Sequence, residues 1–282
     1  MFKILEKKSL CEAIDYMKVY APAIARKARP GQFVILKSHE KAERIPLTIA
    51  EYNPEEGSVS VIFQKVGAST MALGELGVGD FIQDFAGPLG EASHLDGYGR
   101  VAVVGGGLGC AIAYPQAKYL HEQGTYVDLI AGFRTKDLII LEDEMRSCSD
   151  RLVLLTDDGT NGNKGLVTDG LKSLIEAGAK YDLVIAIGPP IMMKFVSKLT
   201  LEYGIKTVVS LNPIMIDGTG MCGGCRVTVG GETKFACIHG PDFDGHRVDF
   251  DELMRRNKSY SADESRLAEK HNCHMLQMKP EL

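Results

Sequence analysis

The stretch Val101-Ala-Val-Val-Gly105-Gly-Gly-Leu-Gly109-Cys-Ala-Ile-Ala113 sets an unbroken apolar run against a glycine-rich turn, then a helical pattern that continues to Leu120. A continuous apolar strand suits a sheet covered on both faces, and a strand that meets a helix through glycines opens a βαβ unit. Downstream, the pattern predicts strands over Val127–Ala131, Leu152–Thr156, Leu183–Ile187 and Thr207–Val209, with helices over Val167–Ala177 and Pro190–Leu201. Strands alternating with helices make residues 98–211 a doubly wound, parallel α/β domain.

The turn also has a chemical reading. Gly106, Gly107, Leu108 and Gly109 would let a pyrophosphate approach the backbone, and the following helix N-terminus favours negative charge. Gly188-Pro189-Pro190 is a second turn at the same edge of the sheet, where open α/β folds bind ligands. The alternative is a plain tight turn between strand and helix. After the second strand stands Ala131-Gly132-Phe133-Arg134-Thr135-Lys136, with no acidic residue to select a ribose 2′-hydroxyl. Arg134 and Lys136 suit a 2′-phosphate or a solvated surface equally, which leaves NAD versus NADP open. Cys110, at the helix start, reads as a packed small residue.

Upstream, residues 1–97 have another texture. Short apolar segments, among them Phe33–Lys37, Leu47–Tyr52, Val59–Phe63 and Phe81–Phe85, recur between turn signals, as in an antiparallel sandwich or barrel. One short helix is expected at Ser69–Leu73. Arg44 and Thr48 at a strand start, and Gly67, Ser69 and Thr70 at the helix start, are weak signals taken singly.

Beyond residue 211 the chain turns rich in glycine and cysteine. Asp217-Gly-Thr-Gly-Met-Cys222-Gly-Gly-Cys225, then Cys237 after eleven residues, follows the plant-type [2Fe-2S] spacing with Asp in the first ligand position. A carboxylate is a harder iron ligand than a thiolate. Gly218, Gly220, Gly223 and Gly224 would let the loop fold its amides toward the inorganic sulfides. Three other readings stand beside this one: a Cys3His zinc site completed by His239, a redox-active Cys222–Cys225 pair, and a purely structural loop. The module is expected over 212–257, with too little apolar material for a core of its own, and a charged tail over 258–282.

Composition narrows the class. A net charge of -5 lacks the basic footprint of a nucleic-acid binder. No apolar run reaches the roughly 18 residues of a membrane span, and the charged start Met1–Tyr16 does not read as a signal peptide, so a cytoplasmic protein is expected. Seven cysteines, an odd count, argue against a disulfide framework.

Taken in order, the Arg44–Thr48 strand, the Gly67–Thr70 helix start and the Gly105–Gly109 turn resemble the ferredoxin-NADP reductase superfamily. The cysteine-rich C-terminus is similar to that of dihydroorotate dehydrogenase electron-transfer subunits, which carry four cysteines. The version with Asp and three Cys resembles the small subunits of NADH-dependent reduced ferredoxin:NADP oxidoreductases, whose close relatives are called sulfide dehydrogenase beta subunits. The resemblance implies an FAD barrel, an NAD(P) domain and a [2Fe-2S] module. It makes Arg44, Pro46, Leu47, Thr48, Phe63 and Gln64 flavin contacts, and Gly67, Ser69 and Thr70 pyrophosphate contacts. Gly106–Gly109, Arg134, Asp157, Gly159, Gly188 and Pro189 would border the nicotinamide nucleotide, and Asp217, Cys222, Cys225 and Cys237 would ligate the cluster. It implies a large partner subunit bearing further flavin and iron–sulfur centres in a heterodimer or larger complex, with this chain as the high-potential branch of an electron-bifurcating enzyme. A dihydroorotate dehydrogenase subunit is the alternative. From another class, a zinc-stapled regulatory subunit without flavin remains.

Overall fold

Alternation of inward and outward residues makes a barrel of the first seven strands in the computed structural model, which describes residues 1–267. They are β1 (Phe2–Cys11), β2 (Ile14–Tyr20), β3 (Phe33–Lys37), β4 (Ile45–Asn53), β5 (Ser58–Gln64), β6 (Phe81–Ile82) and β7 (Asp84–Leu89). All pair antiparallel, in the order β6-β1-β2-β5-β4-β3-β7. Met17, Val19, Val34, Leu36, Ile49, Val59, Val61 and Phe63 fill the interior. Between strands lie α1 (Pro22–Ala25) and α2 (Ala68–Glu75), the latter two residues longer at its C-terminal end than the sequence pattern indicates. Leu73 of α2 is completely buried in the barrel core.

The α/β unit comprises β8 (Arg100–Gly106), α3 (Gly109–Glu122), β9 (Tyr126–Phe133), α4 (Glu142–Ser147), β10 (Arg151–Thr156), α5 (Val167–Glu176), β11 (Leu183–Ile187), α6 (Pro190–Glu202) and β12 (Thr207–Ser210). Its sheet runs β10-β9-β8-β11-β12 in parallel. The chain winds one way from β8 to β10 and the other way from β11 to β12. The reversal between β8 and β11 leaves the crevice where such folds bind ligands.

The cysteine-rich segment forms a hairpin of β13 (Arg226–Val229) and β14 (Glu232–Phe235), followed by α7 (Ala236–His239). None of these was expected from the sequence pattern, nor were the two elements that follow. β15 (Asp242–Asp244) adds antiparallel to the β12 edge, and α8 (Phe250–Asn257) caps its start with the Asp249 side chain, which accepts from Glu252 N. The segment has no separate core. Cys225, Val227, Val229, Ala236 and Cys237 share one apolar cluster with Phe33 and Ile35 of the barrel and with Ala102, Val104, Val184 and Ala186 of the parallel sheet. The Val, Ile and Phe side chains among them each contribute about 1.5–3 kcal/mol when fully buried, so the three parts are joined by their hydrophobic core as well as by linkers. Of the tail read at 258–282, residues 268–282 lie outside the described residues.

Candidate functional site

Register decides which residues of β4 and β5 face the α/β unit. In the β3–β4 pair, Phe33 sits opposite Thr48 and Ile35 opposite Pro46, while Val34 sits opposite Leu47. Directly opposed residues share a face. Phe33 and Ile35 belong to the shared core outside the barrel and Val34 to the barrel interior. Pro46 and Thr48 therefore face outward, and the Leu47 side chain packs inward. On β5, Val59, Val61 and Phe63 point in, while Ile62 packs under α3, which places Gln64 on the outward face. Phe63 is fully buried in the barrel and Leu47 leans on the same core, so both side chains face away from the outer surface that carries Pro46, Thr48 and Gln64. Any flavin contact they make is through backbone. Arg44 stands exposed just ahead of β4, with no partner among the described residues.

The start of α2 carries free backbone donors and open space. Thr70 Oγ1 accepts from the Val66 and Gly67 amides, each at 3.1 Å, and donates to the Gly67 carbonyl. The N–H groups of the first helical turn lack acceptors within the helix. Open space surrounds the position of a Cβ on Gly67, with no atom within 4 Å. Ser69 Oγ donates to Glu43, joining this turn to the loop that carries Arg44. An ion cluster around the buried Asp15 holds the helix from behind. Asp15 binds Lys65 at 2.9 Å and lies 3.7 Å from Lys7, and the Lys7 ammonium donates to the Gly74 and Leu76 carbonyls at the end of α2.

The two predicted nucleotide turns touch. A Cβ on Gly109 would lie 2.3 Å from the Ile187 carbonyl oxygen and 2.7 Å from Gly188 Cα, and one on Gly106 would strike Met192 and Pro189. Gly107 adopts φ +56°, a conformation costly for other residues, and has open space beside it. Cys110 is packed beneath Gly105, and burial pushes its thiol up to about 12. That bears out its reading as a packing residue. Arg134 is exposed at the end of β9, beside the loop of Asp157 and Gly159: Asp157 N bonds the Phe133 carbonyl and Asp158 N that of Arg134.

The four cluster ligands proposed from spacing pair off. Cys222 Sγ lies 3.1 Å from Asp217 Oδ1, and Cys225 Sγ 3.1 Å from Cys237 Sγ. Hydrogen bonds from Cys222 and Thr219 hold the Asp217 carboxyl at about 2, so it is ionised at neutral pH. Among the described residues no three His, Cys, Asp or Glu side chains converge on one point. A two-iron cluster takes two protein ligands on each iron, so each pair would hold one iron. His239 accepts from Phe235 N through Nδ1 at 3.0 Å and stacks on Phe235. A cavity of about 310 Å³, lined by Leu89, Gly90, Gly218, Thr219 and Cys237, separates β7 from the cluster loop. A second, about 400 Å³, opens between the barrel and the C-terminal half of α3 beside Lys18, Ser60 and Lys118. It lies away from the glycine turns and holds none of the candidate residues.

A barrel whose outer face meets the switch point of a doubly wound sheet defines the ferredoxin-reductase class. The chain superposes on the ferredoxin reductase of carbazole 1,9a-dioxygenase with TM-score 0.58 at 20% identity, over 72% of this chain and 65% of that one. Residues 212–249 match the iron-sulfur cluster binding domain of dihydroorotate dehydrogenase B. The electron-transfer subunit homolog of dihydroorotate dehydrogenase B from Thermotoga maritima is 47% identical over 262 residues, 93% of this chain and 92% of that protein. The chain belongs to this family of electron-transfer subunits. It is also similar to a chain of the NADH-dependent reduced ferredoxin-NADP oxidoreductase structure, which was used to study flavin-based electron bifurcation. That match has TM-score 0.90 and 46% identity, covering 96% of this chain and 97% of that one. The protein is an oxidoreductase subunit whose cofactors are FAD, a [2Fe-2S] cluster and a nicotinamide nucleotide. No helix among the described residues is long and apolar enough to cross a membrane.

Proposed function

We propose that this chain exchanges electrons with NAD(H) or NADP(H) and relays them to or from a large flavin- and iron–sulfur-bearing partner subunit, in an electron-bifurcating NADH-dependent ferredoxin:NADP oxidoreductase. The observation that carries the reading is the Asp217–Cys222 pair beside the Cys225–Cys237 pair, together with the 46% identity to the oxidoreductase structure. Bound FAD exchanges a hydride as two electrons and passes them singly, as a [2Fe-2S] cluster requires. The protein supplies positions. Pro46, Thr48 and Gln64 form the outward surface for the flavin ring, and Gly67, Ser69 and Thr70 take its pyrophosphate. Arg44 supplies a cation at that end. Gly106–Gly109 and Gly188–Pro189 receive the nicotinamide nucleotide, with Arg134, Asp157 and Gly159 toward its adenosine end. Asp217, Cys222, Cys225 and Cys237 hold the cluster. The site stays within the barrel, α/β unit and hairpin, which share one core, so relative motion of the redox groups is restrained.

The match of residues 212–249 favours a second reading, service to a dihydroorotate-oxidising partner. An anaerobic absorbance spectrum with iron and zinc assays comes first. Flavin bands over an iron–sulfur envelope with about two irons per chain are expected, and bleaching by NADH or NADPH chooses the nucleotide. A colourless zinc protein would sink both readings. The complex with its co-purified large subunit then separates them: NADH-dependent reduction of NADP with reduced ferredoxin supports the first, dihydroorotate oxidation the second.

A further inference from the structure

Only Gly223 and Gly224 separate Cys222 from Cys225, and an arginine grips the carbonyl of each. Arg226 Nη1 donates to Gly223 O at 3.3 Å, and Arg256 Nη2 to Gly224 O at 3.1 Å. Arg256 comes from the last turn of α8, beyond the 212–249 segment that matches the cluster-binding domain. The helix that delivers it is fastened: Phe250 and Leu253 are buried, Asp249 caps its start, and Lys194 of α6 pairs with Asp251 at 2.7 Å. No carboxylate pairs with Arg256 among the described residues.

A trans peptide is planar, with its C=O and the next N–H on opposite sides. Holding the Gly223 carbonyl therefore aims the Gly224 N–H the other way, and that N–H reaches Cys222 Sγ at 3.4 Å. Holding the Gly224 carbonyl fixes the Cys225 amide in the same manner. Gly223, at φ +68°, gives the loop the freedom to take this shape, and the arginines remove that freedom. Hydrogen bonds to cluster sulfurs and nearby positive charge both stabilise the reduced, more negative state. Arg226 is exposed and Arg256 half-buried, so solvent and salt screen Arg226 more.

We propose that Arg256 is a positioning residue that fixes the Cys222–Cys225 loop and raises the potential of the [2Fe-2S] cluster, with Arg226 in a smaller supporting role. The proposal rests on the cluster reading above. The test is an EPR-monitored redox titration of the full-length chain, with iron content and visible circular dichroism on the same samples. Arg256→Met should disfavour cluster reduction about tenfold, a fall of about 59 mV for one electron. Arg256→Lys, which keeps the charge and loses the fork, should restore part of it, and Arg226→Met should move it less than Arg256→Met. NADH affinity should stay unchanged in all three. An intact cluster in Arg256→Met with the parental potential overturns the proposal, as does a shift in Arg226→Met equal to that in Arg256→Met. Should Arg256→Met fail to hold its iron, the comparison of Arg256→Lys with the parent decides, and an unshifted Arg256→Lys overturns the fork's role. A parent chain without two irons and a reducible EPR signal would sink the cluster reading itself, whatever the variants do.

Discussion

Replacing Gly109 by Ala tests whether the β8–α3 turn is the floor of the nucleotide site. The added Cβ would meet the Ile187 carbonyl oxygen at 2.3 Å, against about 3.4 Å for an ordinary contact, so roughly 1 Å of separation must be found. The obstacles, Ile187 O and Gly188 Cα, are backbone at the end of a central strand, and no side-chain rotation relieves them. Overpacking of this kind costs about 1–3 kcal/mol. For a protein of this size that is a Tm fall of roughly 2–4 °C per kcal/mol. The displacement falls on the junction of the two turns that would border the nucleotide, where misplacement by about 1 Å is expensive. NADH or NADPH affinity, read by titrating the flavin spectrum, should fall at least about tenfold, while FAD content and iron content stay at parental levels. Gly107→Ala is the companion variant: its Cβ enters the open space beside the turn, where it would meet the nucleotide directly, so affinity should fall there too without a clash inside the protein. It meets φ +56° but no neighbour within 4 Å, so it pays only the left-handed penalty of about 1–2 kcal/mol. Parental nucleotide affinity in Gly109→Ala, with the expected loss of stability, would refute the placement of the nucleotide on this turn.

Asp15→Asn should loosen FAD more than riboflavin, because Asp15 holds Lys7 against the C-terminal carbonyls of α2 and so steadies the turn assigned to the pyrophosphate. Fluorescence titration of the flavin-stripped chain measures both ligands, and an unchanged preference for FAD over riboflavin contradicts it. Asp217→Ala should lower iron below the roughly two atoms per chain of a [2Fe-2S] protein, whereas Asp217→Cys should keep them with an altered spectrum; equal iron in the two variants removes Asp217 from the ligand set. Burial raises the Asp242 carboxyl above the usual carboxylate range, against hydrogen bonds from Ser93 and Ser210 that lower it. A raised folded value means the folded state binds this proton more tightly, so its contribution declines as pH climbs from the ordinary carboxylate value through the raised one. Thermal melts from pH 4 to 8 should show a smaller decline in Asp242→Asn than in the parent, and parallel curves would discount the buried carboxyl.

Sequence alone determined what short-range spacing can encode. Apolar strands, glycine turns and alternating helices named the doubly wound sheet, because each signal lies within a dozen residues of chain. The Asp217-x4-Cys222-x2-Cys225 spacing marked the cluster loop for the same reason, since ligands of one loop must be close in sequence. Tertiary structure decided the rest. Ser58–Phe63 is buried on both faces, so no hydrophobic alternation could tell that Phe63 points into the barrel while Ile62 and Gln64 point out; strand pairing set that. Asp15 and Lys65 meet across fifty residues, and Arg256 reaches Gly224 across thirty-two. A charge pattern in a C-terminal helix says nothing about which carbonyl it will hold until the shared core of barrel, sheet and hairpin brings that carbonyl within reach.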